Sequence, residues 1–214
     1  MVQVLSDKST IIHSFLRELR DVDLQQDRLR FARNLEMLGS LLGYELSQQL
    51  AYKDPRTKTP LGSASTPLPA GGIVIGTVLR AGLPVQRGLQ QVFPNADLAF
   101  VGAARHEAKD DVSVELGYEA GPDLTDKVLI MADTMLATGH SLVAATKQLV
   151  KTHGQPKQII FTAVIAVQPG IDYVAEHFPE AEIVVCVVDD KLDENFYIVP
   201  GLGDAGDLLF GPKL

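Results

Sequence analysis

The sequence predicts an α/β fold with a mostly parallel central sheet flanked by helices. Two observations predict it. From Gly72 onward, short apolar runs alternate with amphipathic stretches, the pattern of strand–helix crossover units. The runs are also continuously apolar, as strands covered on both faces are. They are Ile73–Leu79, Leu98–Ala103, Val128–Ala132, Ile159–Val167 and Ile183–Val188. Between them, Leu83–Val92, Ser141–Thr152 and Gly170–His177 read as helices.

The elements can be taken in order. The first fifty residues read as helix. In "STIIHSFLREL" Ser9 is a candidate N-cap ahead of apolar residues at helical spacing. From Leu24 to about Tyr52, leucines 35, 38, 42, 46 and 50 recur every three or four residues. Gly39 and Gly43 lie inside that run and lower its helix propensity. Their spacing suits close approach of another backbone, such as a partner subunit's. Residues 53–71, rich in Pro, Ser, Thr and Gly, read as a loop or irregular hairpin. In a parallel sheet, ligands sit beyond the carboxyl ends of the strands. The tips to inspect therefore follow residues 79, 103, 132, 167 and 188. The long polar connection 105–126 has the character of a lid. One domain is expected over 1–214.

Composition narrows the function. The 214 residues are 46% hydrophobic and carry a formal charge of −8. An acidic balance disfavours nucleic acid, whose phosphates need a basic surface. It leaves room for a small phosphate ligand held by local arginines. Cys186 is the only cysteine, so no disulfide within the chain and no cysteine zinc cluster is expected. It lies in a strand-like run and reads as core. No apolar run approaches the roughly 18–20 residues of a membrane span. No secretory signal is legible, so a cytoplasmic location is expected.

The stretch "VLIMADTMLATGHSL" at 128–142 carries the chemistry. An apolar strand ends at Asp133, and Thr138, Gly139 and Ser141 open a helix. Unpaired amides at a helix start favour an anion, and Gly139 lets a ligand approach the backbone. An acid beside such a site accepts hydrogen bonds from sugar hydroxyls or helps hold a metal, so the pattern fits a sugar phosphate. On spacing alone, a plain capped helix beside an ordinary strand-end acid fits equally well. The Gly-Lys-Ser/Thr ending of a nucleotide P-loop and the dinucleotide fingerprint are both missing.

This stretch resembles the phosphoribosyl-diphosphate (PRPP) signature of type I phosphoribosyltransferases. "DTMLATGHS" is most similar to the uracil phosphoribosyltransferase family, usually Asp-Pro-Met-Leu-Ala-Thr-Gly-Gly-Ser. "LLGYEL" at 41–46, "VLRAGLP" at 78–84 and "YIVPGLGDAGDLLFGPK" at 197–213 agree with it in order. The resemblance implies transfer of phosphoribose from PRPP to N1 of uracil, giving UMP and pyrophosphate. It assigns the ribose 5-phosphate to Asp133, Thr134, Met135, Leu136, Ala137, Thr138, Gly139, His140 and Ser141. Arg80 and Arg105 would contact pyrophosphate. Ile198, Gly203, Asp204 and Ala205, within a base-binding segment 189–214, would hold uracil, largely through backbone groups. Asp204 would also face PRPP through water or Mg2+. Asp133, Arg80, Arg105 and Asp204 are the implied catalytic set. Mg2+ is the implied cofactor, held mainly by PRPP and water. A homodimer and GTP as allosteric effector are further implied; nucleic-acid and membrane partners are not expected.

The chain departs from the family pattern at several points. Thr134 replaces a usual Pro and His140 a usual Gly. "ARHEAK" at 104–109 stands where Tyr-Arg-Asn-Glu-Glu-Thr is common. Phe31 is followed by Ala32 rather than Arg, leaving Arg30 or Arg33 as substitutes. Two alternatives stay open here: a non-catalytic or regulatory paralogue, and a phosphoribosyltransferase for another nucleobase.

Overall fold

The computed structural model describes residues 2–108 and 111–212, without the side chains of 104–114. The chain opens with strand β1 (Val2–Val4), then helices α1 (Ile12–Arg20) and α2 (Arg28–Ser47). A protruding arm follows, made of β2 (Tyr52–Lys53), β3 (Arg56–Thr59), β4 (Gly62–Ser65) and β5 (Leu68–Pro69). Then come β6 (Ile73–Leu79), α3 (Leu83–Val92), β7 (Asp97–Ala108) and β8 (Asp111–Ala120). The second half holds β9 (Val128–Leu136), α4 (His140–His153), β10 (Gln158–Val167), α5 (Gln168–His177) and β11 (Glu182–Asp189). A small hood closes the chain: β12 (Lys191–Leu192), β13 (Ile198–Val199) and α6 (Ala205–Phe210).

Seven strands form the main sheet in the order β1-β11-β10-β9-β6-β7-β8. Every pairing is parallel except β7 with β8. Side chains alternate along the strands and feed two cores. Ile130, Ile160, Val184 and Cys186 face α1, α2 and α3, packing with Leu16, Leu35, Leu38 and Leu89. Leu129, Met131, Phe161 and Val185 face α4 and α5, packing with Leu142, Leu149, Ile171 and Val174. Burial pushes the Cys186 thiol upward, so it stays neutral and acts as core. No helix among the described residues is long and apolar enough to cross a membrane.

Several expectations need correction. Ser9 is not a cap: α1 begins at Ile12, with Ile11 at the N-cap position and no side-chain hydrogen bond there. The helix expected from Leu24 to Tyr52 is interrupted. A 3-10 turn spans Leu24–Gln26, and α2 starts afresh where Asp27 Oδ1 accepts from Arg30 N at 3.1 Å. The opening residues Val2–Val4 form an edge strand beside β11 instead of helix. The segment 53–71 is a hairpin arm as expected, with β3 paired to β4 at its tip and β2 to β5 at its base. The segment expected as a lid is largely an antiparallel strand pair, since β7 runs well beyond Ala103 and returns as β8.

Gly39 and Gly43 face α3 of the same chain, not a partner subunit. A Cβ on Gly39 would stand 2.5 Å from Val85 O, and one on Gly43 3.1 Å from Val92 Cβ. Gly88 completes this seam from the α3 side. A Cβ there would overlap Glu36 O and come 2.8 Å from Gly39 Cα. The neighbours of Gly39 and Gly88 are backbone and cannot swing away. Gly88→Ala is therefore expected to destabilise by about 1–3 kcal/mol through overpacking, in spite of alanine's better helix propensity. Thermal unfolding checks it: Tm should fall by roughly 2–4 °C for each kcal/mol in a chain of this size.

Candidate active site

Strand order creates the site. From β6 the chain crosses by α3 to β7 on one side; from β9 it crosses by α4 to β10 on the other. The loops after β6 and β9 thus diverge and leave a crevice at the carboxyl ends, where ligands bind in such sheets. The register shows where it opens. β6 pairs with β9 only as far as Thr77 opposite Ala132, so Asp133 is the first β9 residue beyond that ladder. Asp133 does not end its strand as expected, because β9 continues to Leu136 alongside β10. It is 7% exposed, and its Oδ1 accepts from the Thr134 amide at 2.7 Å.

A cleft of about 370 Å³ occupies this crevice. It brings together Arg80 and Ala81 after β6, Asp133, Met135 and Ala137 of the β9 end, Ser141 of α4, and Ile198, Gly203, Asp204 and Ala205 of the hood. All of these but Ala81 are expected site residues, and they come from three separate stretches of sequence, at 80, 133–141 and 198–205. Asp204 also caps α6, its Oδ1 accepting from Asp207 N at 2.9 Å. Arg80 reaches across the cleft toward that helix. Its Nη2 lies 3.4 Å from Asp207 Oδ1 and its Cζ 5.7 Å from the Phe210 ring centroid. Both members of the pair are partly exposed, so it is a weak tether that an anion in the cleft can compete with.

Other expected residues are not among those that line the cleft. Thr134 is fully buried, and its hydroxyl donates to Ala81 O at 2.7 Å. The hydroxyl that replaces a ring at this position therefore ties the β9 end to the Arg80 loop. Leu136 is buried in the second core. Gly139 has φ +82° and precedes α4, with Thr138 before it. The His140 ring stacks on Tyr173 with centroids 4.2 Å apart, and Tyr173 in turn meets His177 at 4.3 Å. His140 thus packs against α5 and is not among the cleft-lining groups. The side chain of Arg105 lies outside the described residues.

The hood adds residues that sequence reasoning missed. Asn195, Phe196 and Tyr197 line the cleft. They sit on a tight turn in which Asp193 Oδ1 accepts from the amides of Asn195 and Tyr197, each at 2.9 Å. Phe196 takes φ +60° there. The Asp-Glu-Asn run between two apolar stretches was the available signal, since such residues favour turns by bonding to their own backbone.

A crevice with an acid, an arginine and a left-handed glycine opening a helix has the layout of an enzyme for phosphorylated, hydroxylated ligands. The comparisons narrow that class. Residues 6–212 match the family model described as uracil phosphoribosyltransferase. The uracil phosphoribosyltransferase of Porphyromonas gingivalis W83 is 42% identical over 212 residues, which are 98% of each chain. That of Thermococcus gammatolerans is 40% identical over 211 residues, 97% of this chain and 92% of its own. A solved structure, the AQ2163 protein from Aquifex aeolicus, aligns with a TM-score of 0.88 at 31% identity, covering 99% of this chain and 98% of that one. The chain belongs to the uracil phosphoribosyltransferase family, a group of pentosyltransferases.

Proposed function

We propose that the chain transfers the 5-phosphoribosyl group of PRPP to N1 of uracil, releasing pyrophosphate and UMP. The observation that carries this reading is the convergence of Arg80, Asp133, Ser141 and the Gly203–Ala205 run on one cleft. The bond from ribose C1 to pyrophosphate breaks, the bond to N1 forms, and the proton of N1 passes to solvent. The phosphate of PRPP sits on the amides that open α4, where the helix dipole favours negative charge. Asp133 accepts hydrogen bonds from the ribose hydroxyls. Arg80, joined by Arg105, stabilises charge growing on the departing pyrophosphate. The ribosyl centre becomes cation-like, so no side-chain nucleophile is needed.

Magnesium is the implied cofactor, and the donor set suits it in one particular way. Among the described residues, no group of three or more His, Cys, Asp and Glu is placed to hold a metal. Two cleft-lining acids, Asp133 and Asp204, instead suit an ion that arrives on substrate oxygens and keeps its waters. Those acids would accept hydrogen bonds from the waters. When bound, magnesium supplies charge neutralisation on pyrophosphate.

Uracil presents alternating carbonyl and N–H groups, which a fixed backbone run from Ile198 through Ala205 can match. Cytosine would set an amino group against a donor and leave buried polar groups unpaired. A homodimer belongs to this reading too. Leu29, Met37 and Tyr44 share one face of α2 and are exposed, an apolar stripe that a second copy would cover. The GTP response is carried by the resemblance alone. The test is UMP formation with PRPP and Mg2+, offering uracil, cytosine, hypoxanthine or orotate. Turnover of uracil only is expected. Turnover of a different base overturns the specificity, and silence with all of them favours a non-catalytic paralogue.

A further inference from the structure

The hood must present its backbone to a nucleobase at a fixed angle, yet it is a short segment with two tiny strands and one helical turn and a half. What holds it is an ion pair outside the cleft. Arg20, the last residue of α1, donates from Nη2 to Asp189 Oδ1 at 2.6 Å and from Nη1 to Asp189 Oδ2 at 2.8 Å. Asp189 ends β11, and its side chain is only 4% exposed. The same two groups also grip Gly201. Gly201 N donates to Asp189 Oδ2 at 2.9 Å, and Arg20 Nη1 donates to Gly201 O at 3.1 Å. Both polar groups of one residue are therefore held by one bidentate pair. Gly201 is buried, and Gly203, two residues further on, lines the cleft. Next to it, the Gln25 amide, in the orientation that satisfies its hydrogen bonds, donates to Leu202 O at 2.9 Å.

We propose that Arg20 and Asp189 are positioning residues for nucleobase recognition. Neither lines the cleft, so they act through Gly201 on the angle at which Gly203–Ala205 faces the base. The pair joins the N-terminal helical layer to the C-terminal hood across 169 positions of sequence. Asp189 takes three donors, which satisfies a buried carboxylate. The planar fork is what allows one side chain to hold two carboxylate oxygens and a carbonyl; an ammonium offers no such geometry. This inference rests on the uracil-transfer reading, in which the hood is the base site.

The experiment is steady-state kinetics of R20K and D189N, each with uracil and PRPP varied separately, alongside thermal unfolding. Both substitutions are close in size to the original residue. The expected result is a KM for uracil raised about tenfold or more, with the KM for PRPP within about twofold of the unaltered enzyme. A purely structural pair would lower Tm and leave that split absent. An unchanged uracil KM in folded variants, or two KM values rising together, overturns the positioning role and leaves uracil transfer standing. If the unaltered chain forms no UMP, the functional reading fails and this inference falls with it. Should R20K not fold, D189N alone decides, because Asn keeps the size of the side chain while turning one of its two acceptors into an N–H donor and losing the charge.

Discussion

Asp133→Asn is expected to lower kcat/KM by about a hundredfold, the scale of losing one charge-assisted hydrogen bond (about 3 kcal/mol) in the transition state. The substitution is isosteric. Its amide oxygen can still accept from the Thr134 amide, which now lies 2.7 Å from Asp133 Oδ1. The fold should therefore survive, with Tm close to that of the unaltered chain. What changes is the second position of the carboxylate: an acceptor becomes an N–H donor, set against ribose hydroxyls or metal-bound water in the proposed complex, and the negative charge is lost. A charge beside a cation-like ribosyl centre matters more in the transition state than in the ground state. The effect should accordingly fall on kcat as well as on KM for PRPP. Single-turnover UMP formation measures it, and activity within a few-fold of the unaltered enzyme would remove Asp133 from the proposed mechanism.

Gly139→Ala should damage the opposite end of the same ligand. The φ of +82° belongs to the left-handed region, which costs an L-residue roughly 1–2 kcal/mol. The new Cβ would also stand 2.9 Å from Gly170 O and 3.2 Å from Tyr173 Cδ1, so α5 leaves it no room. Gly170 is equally confined, since a Cβ there would overlap Ala137 O. The turn at the start of α4 and the start of α5 are thus packed backbone to backbone. The way for alanine to be accepted is for that turn to move and carry its amides away from the proposed phosphate position. A displacement of about 1 Å commonly costs about a hundredfold in rate, and a loss of that order is expected in kcat/KM for PRPP. The uracil KM should change much less. Isothermal titration with UMP provides a second reading, since the product carries the same phosphate; undiminished UMP affinity would contradict the phosphate assignment.

The same residues explain what could be read in advance. Ile73–Leu79 and Leu83–Val92 appear in the structure with the bounds their apolar pattern suggests. Each is a local unit whose period and end signals lie within its own residues. The strand carrying Asp133 was placed correctly but given too early an end. Polar Asp133 and Thr134 look like the close of a buried strand. They stay in β9 because β10 continues to pair with it and because Thr134 finds Ala81 O. The N-terminal glycines were read as a contact, and a contact exists, but its partner is α3. Spacing along one helix says that a backbone comes close without saying which one. The turn at Asp193–Tyr197 gives no local sign of its place in the cleft wall, because the other residues of that wall lie far away along the chain.

The family resemblance identified Arg80 and the hood residues of the cleft. By itself, the sequence pattern determined the alternation of strands and helices, their apolar faces, and the acid and glycine at Asp133 and Gly139. These depend on periodicity and side-chain chemistry, which are local. Tertiary structure alone decided that β6 and β9 part after Thr77 and Ala132 to open the crevice, that His140 turns to Tyr173, and that Arg20 meets Asp189. Those facts depend on strand order and on contacts between residues remote in the chain, and no local pattern encodes which distant partner a side chain will meet.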